Sequence, residues 1–300
     1  MRVNYPEYPN YYCDYLFSTV LQFPMTSDRS DIQLLVLDID GTLVGASNDI
    51  TPRVQRAVQQ VLDKGIQVTI ATGRMYRSAL RFYETLDLIL PLISYQGAWI
   101  QHPKEPEPLH HLPVPLEKAI DLLQCLDDPL FATGLCVHLY LNDELFVQER
   151  GEFSGAYAQR SGVSLASVTD WREILTTEPT KLLVLSPNPV LLAELWRRLT
   201  DRYRPEDLYL TRSTEAFVEA AHPQVNKGEA VRWLAEGILG LEPNQVMAIG
   251  DNYNDLEMLQ YAGCGIAMGT APAEVKAIAQ RIAPSVEEDG VAIALEQWLL

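Results

Sequence analysis

Cationic side chains are scarce in this sequence of 300 residues: 23 lysines and arginines stand against 40 aspartates and glutamates, a formal net charge of −17. Such a surface repels phosphate backbones over most of its area, so a nucleic-acid partner is not expected. A small phosphate substrate stays open, because a lysine, an arginine and a divalent cation can invert the potential inside one cleft. Cysteine is scarce too. The four present, Cys13, Cys125, Cys136 and Cys264, are far apart and suggest neither a zinc site nor a disulfide framework. Reduced thiols in a cytoplasmic protein are the expectation. No apolar run approaches the roughly 18 residues of a membrane span, and no repeat or low-complexity tract is present.

The opening thirty residues lack the basic start and small-residue cleavage site of a secretory signal. They carry instead Tyr5, Tyr8, Tyr11, Tyr12 and Tyr15 among Pro6, Pro9 and Pro24. The expectation is a loosely ordered extension over residues 1–30, with a docked arm as the alternative and Met25 as an alternative start.

Regular patterning begins at Gln33. The run Gln33 to Asp38 predicts a strand buried on both faces. Thr51 and Pro52 then give an N-cap and a proline at the first helical position. Val54, Ala57, Val58, Val61 and Leu62 recur at helical spacing. A strand over Ile66–Ala71, a helix over Ser78–Leu86 and a strand over Leu90–Ser94 follow. This alternation predicts an open parallel sheet with crossover helices.

From His102 to Pro108 the chain is a polar, proline-rich connector. Beyond it come a helix over Leu116–Leu126, a hairpin around Asn142-Asp143-Glu144, a strand over Lys181–Leu185 and a helix over Val190–Tyr203. Hairpins with helices predict a second domain inserted into the first. Parallel-sheet patterning returns with a helix over Lys227–Leu239, a strand over Gln245–Ile249 and a helix over Asp255–Ala262.

Asp38 and Asp40 end the first strand, the edge where open α/β sheets bind ligands, and their i, i+2 spacing points both carboxylates one way. An Asp-x-Asp pair alone is more readily a solvated strand end. An apolar strand running into Asp38-Ile-Asp-Gly-Thr42 and a turn is far more specific. Thr72-Gly73-Arg74 ends the second strand at the same edge. Its hydroxyl and amides can hold phosphate oxygens, although a turn with a solvated arginine fits equally. Lys227 at a helix start opposes the helix dipole and wants a counter-anion, which a phosphate or a surface glutamate would supply. Asp251, Asn254 and Asp255 follow a strand and suit a hard cation, while Asp255 could simply cap the next helix. His102, His110 and His111 fall in the connector, where solvated loop histidines are expected.

Taken together, these four segments resemble the four motifs of the haloacid dehalogenase-like (HAD) phosphatases over most of the chain from Leu34 onward. Thr72-Gly-Arg, Asn226-Lys-Gly228, Gly250-Asp-Asn-Tyr-Asn-Asp255 and Glu288-Asp-Gly-Val-Ala-Ile-Ala294 look like the Cof-like branch. Gln96-Gly97-Ala98 departs from its usual Asn-Gly-Ala, and Met268-Gly269-Thr270-Ala271 from its usual Met-Gly-Asn-Ala. The resemblance implies an α/β fold with a Rossmann-like parallel-sheet core, residues 31–100 and 207–300. An α/β cap, residues 101–206, is inserted between the second and third motifs.

It further implies a Mg2+-dependent phosphatase acting on a small phosphorylated metabolite. Asp38 would be the nucleophile and Asp40 the general acid and base. Thr72, Gly73, Lys227 and Asn254 would bind phosphate. The Asp38 carboxylate, the Asp40 carbonyl and Asp251 would hold the metal, with Asp255 in support. A phosphomutase of the same superfamily and a phospho-accepting signalling module are the alternatives.

Overall fold

The computed structural model describes residues 32–212 and 216–300. The expected extension over residues 1–30 lies outside them. The chain opens with β1 (Leu34–Leu37), α1 (Pro52–Asp63), β2 (Gln67–Ile70), α2 (Tyr76–Thr85), β3 (Leu92–Ser94), β4 (Trp99–Gln101) and β5 (His110–His111). Its middle carries α3 (Leu116–Leu126), β6 (Cys136–Leu141), β7 (Glu144–Val147), α4 (Glu152–Ser161) and β8 (Leu165–Ser167). After these come β9 (Lys181–Leu185), α5 (Pro189–Arg202), β10 (Tyr209–Thr211) and β11 (Phe217–Ala221). The last stretch holds α6 (Lys227–Arg232), β12 (Val246–Gly250), α7 (Leu256–Tyr261), β13 (Cys264–Ala267), α8 (Ala273–Ile278), β14 (Arg281–Ile282) and α9 (Gly290–Trp298).

Five strands form a parallel sheet in the order β14-β13-β12-β1-β2. β1 lies inside it because Leu34, Leu35, Val36 and Leu37 are all fully buried, covering both faces with apolar surface. Thr51 caps α1 by accepting from the Val54 amide, with proline at the first turn, as expected. From β1 the chain steps outward to β2; from β12 it steps the other way to β13 and β14. The order therefore reverses between β1 and β12, and the crevice outside their carboxyl ends is the natural ligand position of such a sheet.

The middle of the chain forms a six-stranded sheet in the order β10-β11-β9-β6-β7-β8. Alternation divides its two faces. Leu139, Leu182, Val184, Val218 and Ala220 pack with Leu122 of α3 and Leu192, Leu195 and Leu199 of α5. Tyr140, Leu183, Leu185 and Ala221 instead join the cluster that holds Tyr76, Tyr95 and Trp99. That second face turns toward the parallel-sheet core, so the sheet is a cap lying over it.

Several expectations need correction. β10 pairs with β11 and β11 with β9, so the six-stranded sheet continues past the expected return to the core at residue 207. β10 has only three residues, too few to register as one arm of a hairpin. The α-helical expectation over Lys227–Leu239 holds to Arg232; the turns from Trp233 to Leu239 are π-helical. The histidines are not solvated. His110 and His111 form β5 beside β4, and His102 is buried with its Nε2 against the Ile89 carbonyl. Burial lowers the pKa of all three, to about 4 for His111.

The hairpin between β6 and β7 has a two-residue turn, Asn142-Asp143, with Leu141 opposite Glu144 and φ of 51° and 54°. Asn and Asp tolerate this left-handed backbone better than other non-glycine residues. The turn carries the Asp143 carboxylate to the N-terminus of α2, whose own N-cap residue, Met75, offers no side-chain acceptor. Asp143 Oδ1 accepts from the Tyr76 amide at 3.0 Å and the Tyr95 hydroxyl at 2.7 Å; Oδ2 accepts from the Arg77 amide at 2.9 Å. A residue of the cap thus supplies the N-cap of a core helix.

Burial outweighs these donors and raises the Asp143 pKa to about 6. Because the folded value lies above an unfolded value of about 3.9, the acid's contribution is full below about pH 4 and declines as pH rises through 6. Asp143→Ala is expected to cost about 1–2 kcal/mol at pH 7, and more at pH 4. Urea denaturation of both proteins at the two pH values measures the difference; an equal cost at both removes the linkage.

Candidate functional site

The carboxyl ends of β1, β2 and β12 lie level, since Leu37 is opposite both Ile70 and Ile249. Asp38 follows β1 directly and its amide donates to the Ile249 carbonyl at 3.0 Å. Its side chain is buried. Lys227, the first residue of α6, reaches this point with no exposed surface and donates from Nζ to Asp38 Oδ1 and Asp255 Oδ1, each at 2.6 Å. The counter-anion that a lysine at a helix start demands is therefore a pair of buried carboxylates. Asn226 completes the helix start by accepting from the Glu229 amide at 2.7 Å.

Asp255 performs two tasks. Its Oδ2 accepts from the amides of Asp251 and Asn252 at 2.9 and 3.0 Å, closing the loop after β12, while Oδ1 holds Lys227. Both oxygens are thereby occupied by protein donors. Carboxylate oxygens of Asp38, Asp251 and Asp255 come within 4.8 Å of one another, the acidic group best placed for a cation among the described residues. Since Asp255 is committed to amides and ammonium, Asp38 and Asp251 are the members able to face a metal.

Electrostatics here favour added positive charge. Burial raises the Asp38 pKa well above that of a free carboxyl; Lys227 opposes this, while Asp255 and Asp251 reinforce it. Burial followed by Asp255 raises Asp251 to about 7. Asp255 and Asp38 raise Lys227 despite its desolvation, so it stays an ammonium. Three carboxylates around one ammonium leave an excess of negative charge that a divalent cation would neutralise. The backbone fits that cation. Gly41 has φ +80°, and a Cβ there would fall 2.2 Å from Asp251 Oδ2. A side chain at position 41 would displace the carboxylate that lies against the Asp40–Gly41 backbone. Hard oxygen donors in this arrangement suit Mg2+.

The Asp40 carboxylate stands outside the acidic group. It is half exposed and gripped by Arg74, with Nε on Oδ2 at 2.7 Å and a terminal nitrogen on Oδ1 at 2.5 Å. Arg74 also donates to Asn48 Oδ1 at 2.7 Å, and its ring-facing side lies over Phe82. Any contribution of Asp40 to the metal is left to its backbone carbonyl. Thr72 is buried, its Oγ1 accepting from the Arg74 amide at 3.2 Å, which leaves the hydroxyl proton to donate elsewhere. Asn254 donates to Gln96 Oε1 at 3.0 Å.

The structure thus gathers Asp38, Lys227, Asp251 and Asp255 by direct contact or proximity, with Thr72, Gly73 and Asp40 on adjoining loops. Sequence reasoning missed Arg74 as the partner of Asp40, and it missed Asn48 and Gln96. For Gln96 one signal existed: its departure from the usual asparagine.

Comparison with known proteins agrees with this geometry. Residues 35–295 match the family model of haloacid dehalogenase-like hydrolases. The 5-amino-6-(5-phospho-D-ribitylamino)uracil phosphatase YitU of Bacillus subtilis is 28% identical over 88% of this chain and 97% of its own length. Phosphatase YwpJ of the same organism is 29% identical, over 89% of this chain and all of its own. A haloacid dehalogenase-like hydrolase from Bacteroides thetaiotaomicron superposes with a TM-score of 0.81 at 26% identity, over 89% of this chain and 99% of its own. The chain belongs to the haloacid dehalogenase-like hydrolases, in their Cof-like branch of phosphoric monoester hydrolases.

Proposed function

We propose that the chain hydrolyses a small phosphate monoester by way of an aspartyl-phosphate on Asp38, with Mg2+ as cofactor. The observation that carries this reading is the buried Lys227 ammonium on Asp38 Oδ1, beside the Asp251 carboxylate at the same strand ends. Lys227 orients the nucleophile and offers the phosphoryl group a fixed positive charge. Asp38 attacks phosphorus, the bond from phosphorus to the ester oxygen breaks, and Asp40 gives its proton to the departing alcohol. Asp40 then takes a proton from water as that water attacks the phosphorus, releasing orthophosphate and restoring the Asp38 carboxylate. Mg2+, held by Asp38, the Asp40 carbonyl and Asp251, would neutralise charge between carboxylate and phosphate. Thr72, the Gly73 amide and Asn254 would donate to the phosphoryl oxygens.

The core-facing side of the cap sheet supports a polar leaving group. Its strands β6, β9 and β11 carry His138, Tyr140, Lys181 and Glu219 at positions that would otherwise be apolar, with Lys181 Nζ on Glu219 Oε2 at 3.1 Å. YitU, and a second relative of the same printed activity that is 28% identical, act on a phosphorylated ribityl compound. A phosphorylated sugar, sugar alcohol or cofactor precursor is accordingly the substrate class.

A phosphate-release assay over a panel of phosphorylated metabolites tests the reading. Chelation with EDTA should abolish release and Mg2+ restore it, and Asp38→Asn should reduce it to background. Full turnover by Asp38→Asn would refute the covalent route, and an isomer formed in place of free phosphate would indicate a phosphomutase. Calorimetric titration should show Asp251→Ala binding Mg2+ at least about tenfold more weakly.

Arg74→Ala frees the Asp40 carboxylate from its two-point grip. Loss of orientation at an acid/base group can cost on the order of 10²-fold in rate, so kcat is expected to fall by about that factor with KM little changed. Arg74→Lys keeps the charge but not the fork and should fall between. Steady-state kinetics distinguishes the three proteins.

A further inference from the structure

Tyr95, Gln96 and Gly97 follow β3 with φ of 52°, 60° and 101°, three successive residues in left-handed backbone. Glycine adopts this freely; tyrosine and glutamine do not, and strain of this kind persists only where surrounding contacts enforce it. The contacts here are specific. The Tyr95 amide donates to the Arg74 carbonyl at 2.8 Å, and the Gln96 amide to the Thr72 carbonyl at 2.9 Å. The strained turn is thereby strapped to the Thr72–Arg74 loop, and the Gln96 side chain, almost wholly buried, is thrown across it.

Its carboxamide meets two parts of the site. Oε1 accepts from Asn254 Nδ2 at 3.0 Å. Nε2 lies so near Gly73 that a Cβ built on that glycine would fall 2.3 Å from it. Any side chain at position 73 would expel the amide, so glycine there is what admits Gln96. One planar group bridges the loop after β2 to the loop after β12.

We propose that Gln96 is a positioning residue of the phosphoryl-binding site. It fixes the amide orientation of Asn254 and sets an uncharged N–H donor over Gly73, beside the expected phosphate ligands. The inference rests on the phosphatase reading above and adds a residue that the four motifs do not contain. An uncharged donor suits this position, because it can face phosphoryl oxygens without pairing with the carboxylates of the site. An asparagine in the same backbone is one methylene shorter and would not span both loops.

The decisive variant is Gln96→Gly, which removes the carboxamide and relieves the left-handed strain together. If the side chain serves only folding, its loss lowers the thermal midpoint. Under the proposal the midpoint equals or exceeds that of the wild type, while the Mg2+-loaded protein binds inorganic phosphate about tenfold more weakly by calorimetry. Gln96→Asn should recover little of that affinity. With p-nitrophenyl phosphate as probe, Asn254→Ala and Gln96→Gly should be strongly non-additive, since each disables the same pair.

Phosphate affinity within twofold of wild type in Gln96→Gly, or independent effects in the double variant, overturns the proposal. The calorimetric readout does not depend on turnover. Failure of Asp38→Asn to lose activity would therefore strike the phosphatase reading, while unchanged phosphate affinity would strike the role of Gln96.

Discussion

A lysine ammonium sealed from solvent between Asp38 and Asp255 holds the catalytic region together. An ammonium in such surroundings is tolerated only with charge-bearing partners on hand, and removing either carboxylate would take away one of its two buried acceptors. The pairing joins the end of β1 to the start of α6 and the loop after β12, which lie on the far side of the whole cap in sequence. Closing that distance correctly is a demand on the fold. The parallel sheet meets it by setting β1 beside β12, so that both motif-bearing loops leave the same edge side by side.

A division of labour follows from which carboxylates are free. Asp255 spends both oxygens on neighbours and serves as a brace. Asp38 and Asp251 keep capacity toward the crevice, and Asp40 is held apart by Arg74. Four acids close in space thus have distinct surroundings, the condition under which the proposed roles of nucleophile, proton carrier and metal ligand could be divided among them. The excess of negative charge is costly without a compensating cation, and that cost would favour a hard cation at the site.

Much of the core was legible in the sequence because its information is local. Leu34 to Leu37 is a continuous apolar run, Thr51-Pro52 is a helix start, and each motif residue stands at the end of a strand or the beginning of a helix. Asp38, Thr72, Lys227 and Asp251 could be located on that basis. The identity of Lys227's counter-anions was less accessible, since phosphate and surface glutamate fitted equally well. Other features are long-range and leave no local trace. Nothing near Arg74 announces Asp40, nothing near Asn142-Asp143 announces α2, and a glutamine in left-handed backbone runs against local preference. His110 and His111 were misjudged because β5 has two residues, too few for any periodicity to show. The strands beyond residue 207 went unread for a related reason: β10 has only three residues, and pairing of β10 with β11 and of β11 with β9 is what makes them part of the sheet.

The acceptor that Asp143 lends to α2 gives the cap a stake in the integrity of the core. An outward swing of the cap would strip the first turn of that helix of its partner and return the Tyr95 hydroxyl to water. Tyr95 adjoins Gln96, so the chain segment released by such a swing is the one strapped to the Thr72–Arg74 loop. Admission of a substrate and slackening of the helix start would then be two faces of a single equilibrium. Anything that steadies that turn would also hold the door shut.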